Sequence, residues 1–317
     1  MEVQVGCRVI VPFGRSKFYT AIVSRIHTEK PEGYAVKQVL EQIDTTPILL
    51  PTQLKLWQWM ADYYLCALGD VYKAALPSGL KLESDGEEII RGFKPKEEVR
   101  VRLATEYQSE EALHALFDQL AKTPKRLDLL MRWLELSNFF GSELKEVSKR
   151  RLMNDEKSSV SAFNGLISKG IFQTYSVEVG RLSTGNGEKT VIPHKLNAQQ
   201  SLALQQITET FRQKNVCLLH GVTSSGKTEV YIKLIEQALQ EGKQVLYLLP
   251  EIALTTQVTK RLQRVFGDKL GIYHSKFSDN ERVEIWKKQL SDTPYDIILG
   301  VRSSVFLPFQ RLGLVIV

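Results

Sequence analysis

Gly221-Val222-Thr223-Ser224-Ser225-Gly226-Lys227-Thr228 decides how the last third of this chain folds. It completes the pattern G-x-x-x-x-G-K-[ST], in which each residue type answers a physical need. Glycines let the backbone curl until successive N–H groups point at phosphate oxygens, and the helix that follows offers its positive N-terminal end. Lys227 is placed to reach the β- and γ-phosphates, and the Thr228 hydroxyl to ligate Mg²⁺. The apolar run Val216 to His220 predicts a strand before the loop. Val230, Tyr231, Leu234, Ile235, Ala238 and Leu239 predict an amphipathic helix after it, ending at Gly242. The alternative, a glycine turn of no chemical consequence, leaves this strand–loop–helix context unexplained.

Around that element the chain alternates strand and helix from about Lys195. Val245 to Leu249, Gly271 to His274, Asp296 to Leu299 and Leu314 to Val317 are short apolar runs. Continuous apolar strands separated by helices belong in a parallel sheet covered on both faces. Phosphoryl transfer also needs a carboxylate at the end of another sheet strand. Leu314 to Val317 looks like that strand, so the acid is expected at position 318, and the motor lobe is expected to be truncated before it.

Upstream, two polar stretches, Glu83 to Glu88 and Leu182 to Glu188, suggest linkers. The expected division is a module over 1–82, a linker over 83–110, a helical domain over 111–180, a linker over 181–194 and the lobe over 195–317. In the first module, Arg8 to Val11, Phe18 to Ile26 and Tyr34 to Ile43 predict short antiparallel strands of a small β-barrel-like fold. A helix capped by Thr52 follows, with Leu54, Trp57, Met60, Ala61, Tyr64 and Leu65 on its apolar face. In the second, Thr123-Pro124 starts a helix with Leu127, Leu130, Met131 and Leu134 inward. A further helix over 159–169 has Val160, Phe163, Leu166 and Ile167 inward, and it stops at Gly170 before a strand over 171–179. That order suggests a winged helix, which places a helix in a DNA groove; a helical spacer is the plainer alternative.

Composition sets the remaining bounds. Among 317 residues, 43% are hydrophobic and 25% charged, which fits a folded multidomain α/β protein and not a disordered or coiled-coil chain. No apolar run approaches the length of a membrane span, and three widely spaced cysteines exclude a disulfide scaffold. A reducing cytoplasm is the expected location. A net charge of +6 permits a polyanionic partner without demanding one.

The runs Leu218 to Tyr231, Leu249-Pro250-Glu251-Ile252-Ala253-Leu254-Thr255-Thr256-Gln257, Tyr273-His274-Ser275 and Gly300-Val301-Arg302-Ser303-Ser304-Val305-Phe306 resemble the helicase motifs of the PriA (primosomal protein N′) family. Val5 to Gly14, Ala61-Asp62-Tyr63-Tyr64 and Gly69-Asp70-Val71 are similar to that family's N-terminal DNA-binding module. The resemblance covers nearly the whole chain in order. It implies a superfamily 2 helicase that uses ATP and Mg²⁺ to move 3′ to 5′ on DNA, and that acts at stalled forks and restarts replication. It implies forked and single-stranded DNA, 3′ ends, primosome proteins and single-strand-binding proteins as partners, no membrane, and a nucleoid-associated place in the cytoplasm. The lobe it implies is of the RecA type. Zinc is expected only in a part beyond Val317, with no zinc ligands in this chain.

Residue by residue, the family pattern places Gly14 and Lys37 in a pocket for the 3′ end. The plainer readings are a turn glycine and an outward strand residue. Gln200 falls where a glutamine contacts the nucleotide base, while Asn197-Ala198-Gln199-Gln200 has the spacing of a capping box. Thr255 and Thr256 contact a DNA phosphate or merely start a helix. Arg302 clamps a strand phosphate or pairs with a carboxylate. His274 reads as a satisfied strand-end histidine, and Glu251 as a residue orienting the loop after Pro250. The resemblance implies an opening strand with an aromatic-Asp pair, which is expected to be missing ahead of Met1, and Ser224 stands where many members have glycine. A non-catalytic DNA-binding, nucleotide-sensing module and a small-molecule P-loop kinase are the rival classes. The kinase would transfer phosphate without DNA, and the module would turn nothing over.

Overall fold

The structure is a computed structural model that describes residues 3–14, 17–29, 32–33, 35–81, 83–84, 89–90, 93, 95–155, 159–180, 195–222, 225–250 and 257–317. It divides into two compact units, Met1–Lys94 together with Leu182–Val317, and Pro95–Arg181.

The N-terminal module is built on β1 (Arg8–Phe13), which pairs antiparallel with β2 (Lys17–Ile22) on one side and β3 (Glu41–Gln42) on the other. The sheet expected over 34–43 is thus reduced to two paired residues, and 35–40 are exposed. Arg8 is buried and its guanidinium grips Asp44, at 2.9 Å from Nε and 2.6 Å from a terminal nitrogen, while donating to Leu80 O at 2.8 Å. A bidentate partner is what makes a buried guanidinium tolerable.

Two helices follow, α1 (Pro51–Tyr64) and α2 (Leu68–Ala75). Proline occupies the first position of α1, so the cap is Leu50 and not Thr52. The phase also differs from expectation. Gln53, Trp57 and Ala61, spaced by four, are buried, whereas Tyr64 and Leu65 are 65% and 92% exposed. Two short strands, β4 (Glu83–Ser84) and β5 (Ile89–Ile90), close the module.

The second unit places β6 (Lys96–Leu103) before α3 (Glu110–Leu120), α4 (Pro124–Leu136), β7 (Val147–Ser148), α5 (Lys149–Leu152), α6 (Val160–Ser168) and β8 (Phe172–Val179). The sheet order is β7-β6-β8, antiparallel throughout. Its central strand lies inside the stretch expected to be linker. The charged residues of Lys-Glu-Glu-Val-Arg-Val-Arg-Leu make the strand inconspicuous, but Val101 and Leu103 alternate into the core. Leu130, Trp133 and Leu134 of α4 are buried with Phe163 and Leu166 of α6, and Trp133 Nε1 donates to Val101 O at 2.9 Å. Met131 and Val160, expected inward, are 53% and 66% exposed. The arrangement is a winged helix.

The lobe begins at α7 (Ala198–Phe211) and α8 (Lys227–Gln240). It continues through β9 (Gln244–Leu248), α9 (Gln257–Phe266), β10 (Leu270–Tyr273), α10 (Asp279–Leu290), β11 (Ile297–Gly300) and β12 (Leu312–Ile316). The four strands are parallel in the order β10-β11-β9-β12. Successive residues of β9 enter opposite cores. Val245 and Tyr247 pack with Ile232, Ile235 and Leu262 of α8 and α9, while Leu246 packs with Trp286 of α10. That second core also contains Leu49, Trp57, Ala61, Val71 and Leu80. The helices of the N-terminal module and the lobe therefore share one core, which is why the two form a single compact unit.

The strand expected over Val216 to His220 is not paired into the sheet. Its side chains still alternate: Cys217 and Leu219 pack on Ile207 and Val230, and Val216 and Leu218 are 81% and 88% exposed. Strand character is local, but a ladder needs a neighbour, and no described segment supplies one. Among the described residues no helix is long and apolar enough to cross a membrane.

Candidate functional site

The glycine-lysine loop runs from this extended segment into α8. Gly226 is the residue before the helix, with φ +80°, and a Cβ there would lie 2.2 Å from Gln200 Nε2. Only glycine satisfies both the left-handed backbone and the close approach. Lys227 opens α8 and folds back across the loop, its ammonium donating to Gly221 O at 2.6 Å and Val222 O at 3.0 Å. The first amides of a helix have no acceptor within it, so α8 presents N–H groups and a positive dipole end beside that ammonium. Thr223 and Ser224 lie outside the described residues.

These donors fit a triphosphate: amides, one ammonium already at the loop mouth, and the hydroxyl of Thr228 for a metal ion that keeps most of its own waters. Burial pushes the Tyr247 phenol up to about 12, with Tyr231 adding to the shift, so neither ring brings negative charge to α8 near neutral pH. We expect Gly226→Ala to weaken Mg-ATP binding by about tenfold, from left-handed strain and displacement of Gln200. Calorimetric titration of the variant checks this.

Gln200 performs the capping role and also reaches the loop. Its Oε1 accepts from Asn197 N–H at 2.9 Å, its own N–H donates to Asn197 Oδ1 at 2.9 Å, and its Nε2 lies 3.4 Å from Gly226 O. Sequence reasoning gave Glu229 no role. It lies in the first turn of α8, is 9% exposed, and pairs with Arg261, so it ties the loop's helix to α9. An acidic residue directly after Lys227-Thr228 on a helix otherwise buried at that face was the available signal.

The other motifs stand at the carboxyl ends of the parallel strands, where ligands of open α/β sheets bind. Leu249 N–H donates to Gly300 O at 2.8 Å and Val301 N–H to Tyr273 O at 3.2 Å, so the ends of β9, β10 and β11 are stitched together. Arg302 opens a 3₁₀ turn (Arg302–Phe306) after β11 and is exposed. Among the described residues no carboxylate pairs with it. His274 packs on the Phe277 ring at 4.0 Å between centroids, and its Nδ1 has no hydrogen-bond partner among the described residues, unlike the satisfied histidine expected. Glu251, Thr255 and Thr256 lie outside the described residues.

In the N-terminal module Gly14 follows β1 with φ +65°, and Lys37, twenty-three positions away, donates from Nζ to Gly14 O at 2.7 Å. The two candidate DNA-contacting residues are thus brought together. Beside them Phe13 and Tyr19, 66% and 50% exposed, meet edge to face at 5.2 Å. Neither aromatic was singled out from the sequence, although Phe13 immediately precedes the turn.

A glycine-lysine loop leading into a helix of a parallel-sheet lobe, in one chain with a winged helix and a small β module, is the set of parts found in helicases of the P-loop class. Family comparison agrees part by part. Residues 1–77 match the 3′ DNA-binding domain, 98–179 the winged helix domain of PriA helicase in Bacteroidota, and 197–317 the DEAD/DEAH box helicase. The replication restart protein PriA of Haemophilus influenzae is 32% identical over 325 residues, covering 100% of this chain and 40% of that protein. PriA of Bacillus subtilis is 28% identical over 361 residues, covering 99% of this chain and 45% of that protein. PriA of Helicobacter pylori is 43% identical over 122 residues, 38% of this chain and 19% of that protein. The chain is similar along its whole length to PriA proteins, and it spans about two-fifths of the length of these first relatives.

Proposed function

We propose that this chain forms the DNA- and nucleotide-binding N-terminal part of a helicase that moves 3′ to 5′ and restarts replication at stalled forks by promoting primosome assembly. The observation that carries the reading is the Lys227 ammonium held over Gly221 O and Val222 O, at the start of α8. Gly221, Val222, Thr223, Ser224, Ser225 and Gly226 would line the phosphates, Lys227 would neutralise them, Thr228 would ligate Mg²⁺, and Gln200 would meet the base. ATP supplies the free energy of closure, and Mg²⁺ screens the phosphate charge.

On the DNA side, Arg302, exposed and without a carboxylate partner among the described residues, would clamp a strand phosphate, and Thr255, which follows β9 in sequence, would contact another. Gly14 and Lys37 would hold a 3′ end, and α6 of the winged helix would approach a duplex groove. Zinc, primosome proteins and single-strand-binding proteins belong to the proposal for the whole protein, as does nucleoid association.

Phosphate contacts should dominate the affinity. If about four phosphates of a single strand are neutralised, affinity falls by about 50-fold between about 50 and 200 mM salt. Fluorescence anisotropy with a labelled 3′-ended strand measures this. Lys37→Ala is expected to cost about a further fivefold for strands with a free 3′ hydroxyl and little for strands blocked there. A flat salt response would exclude backbone recognition. Equal losses on free and blocked ends would exclude the 3′-end role.

A further inference from the structure

Gln53 is a glutamine 4% exposed on α1, at the junction between the N-terminal module and the lobe. Both ends of its amide are used. Oε1 accepts from Leu50 N–H at 2.8 Å, within its own helix start, and Nε2 donates to Phe306 O at 2.7 Å, 253 positions away. Phe306 closes the five-residue turn that Arg302 opens. That turn is internally bonded, Ser304 N–H to Val301 O at 2.8 Å and Leu307 N–H to Ser304 O at 3.1 Å, so fixing its last carbonyl fixes its first residue. Trp286 Nε1 clamps the same junction from another side, donating to Ile48 O at 2.8 Å.

A buried amide satisfied at both ends specifies one arrangement of the parts it joins, because any shift leaves polar groups unpaired. We propose that Gln53 is a positioning residue for Arg302: it locks the first turn of α1 to the Arg302–Phe306 turn, so that the strand contacts of the N-terminal module and of the lobe form one rigid track. The proposal rests on the DNA-contacting role given to Arg302 above.

The test is a double-variant cycle on single-strand affinity, read by anisotropy. Gln53→Leu removes both bonds at similar volume. Gln53→Glu keeps the acceptor for Leu50 N–H but sets a carboxylate against the Phe306 carbonyl. Each should weaken strand binding about fivefold when Arg302 is present and add nothing in an Arg302→Ala background. Trp286→Phe, which drops the bond to Ile48 at the same junction, should leave affinity within about twofold.

Losses that simply add, or an equal loss in Trp286→Phe, would mean that Gln53 only supports the fold, and the proposal falls. An Arg302→Ala variant of unchanged affinity would remove the Arg302 role and the proposal together. If Gln53→Leu does not fold, amide hydrogen exchange in Gln53→Glu decides. Faster exchange confined to residues 304–307 supports the lock, and unchanged exchange there overturns it.

Discussion

Lys227→Ala is expected to weaken Mg-ATP binding by about 100-fold or more while leaving most single-strand affinity intact. The ammonium makes two short bonds to loop carbonyls, at 2.6 and 3.0 Å, which shows that the side chain spans the mouth of the loop and does not extend into solvent. When phosphate oxygens take the place of those carbonyls, each charge-assisted bond is worth about 1.5–3 kcal/mol, so losing the group costs roughly two decades of affinity or more. The α8 dipole and the loop amides remain, and they contribute the residual binding. DNA affinity should be preserved because the residues proposed to contact DNA, Gly14, Lys37 and Arg302, belong to other elements. Calorimetric titrations of nucleotide and of strand on the same preparation check both halves. Equal nucleotide affinity in the variant would remove the loop from the site.

Trp286→Ala carries the largest expected effect on stability, about 3–5 kcal/mol. The indole is 1% exposed and sits in the core shared by the lobe and the N-terminal helices. Its removal opens a cavity and strands the Ile48 carbonyl that it holds at 2.8 Å. In scanning calorimetry the melting of the larger unit should fall by about 10 °C. The transition of the winged-helix unit, whose core is built around Trp133 and Phe172, should not move. A joint shift of both transitions would contradict the separation of the cores.

The sequence made the motor lobe the easiest part to anticipate. Its strands are continuous apolar runs, and β9, β10, β11 and β12 fall within a residue or two of where those runs lie. The loop was legible because its glycines and lysine answer a local need, and Gln200 was legible in its capping role. Three features resisted. β6 hides its apolar residues among charges, so composition marks it as linker although its alternation marks it as strand. The segment 216–220 alternates as a strand, but pairing depends on a neighbour that no local pattern encodes. The shared core is invisible locally, since Ile48 and Trp286 are 238 positions apart and Gln53 and Phe306 are 253 apart. Polar contacts at such separations leave no periodicity to read.

Equilibrium dialysis of labelled ATP against the wild-type protein, with and without a magnesium chelator, tests the phosphate-loop assignment most directly. One nucleotide per chain, retained with magnesium and released by the chelator, is the predicted result. Retention that is unaffected by the chelator, or no retention at all, would contradict it.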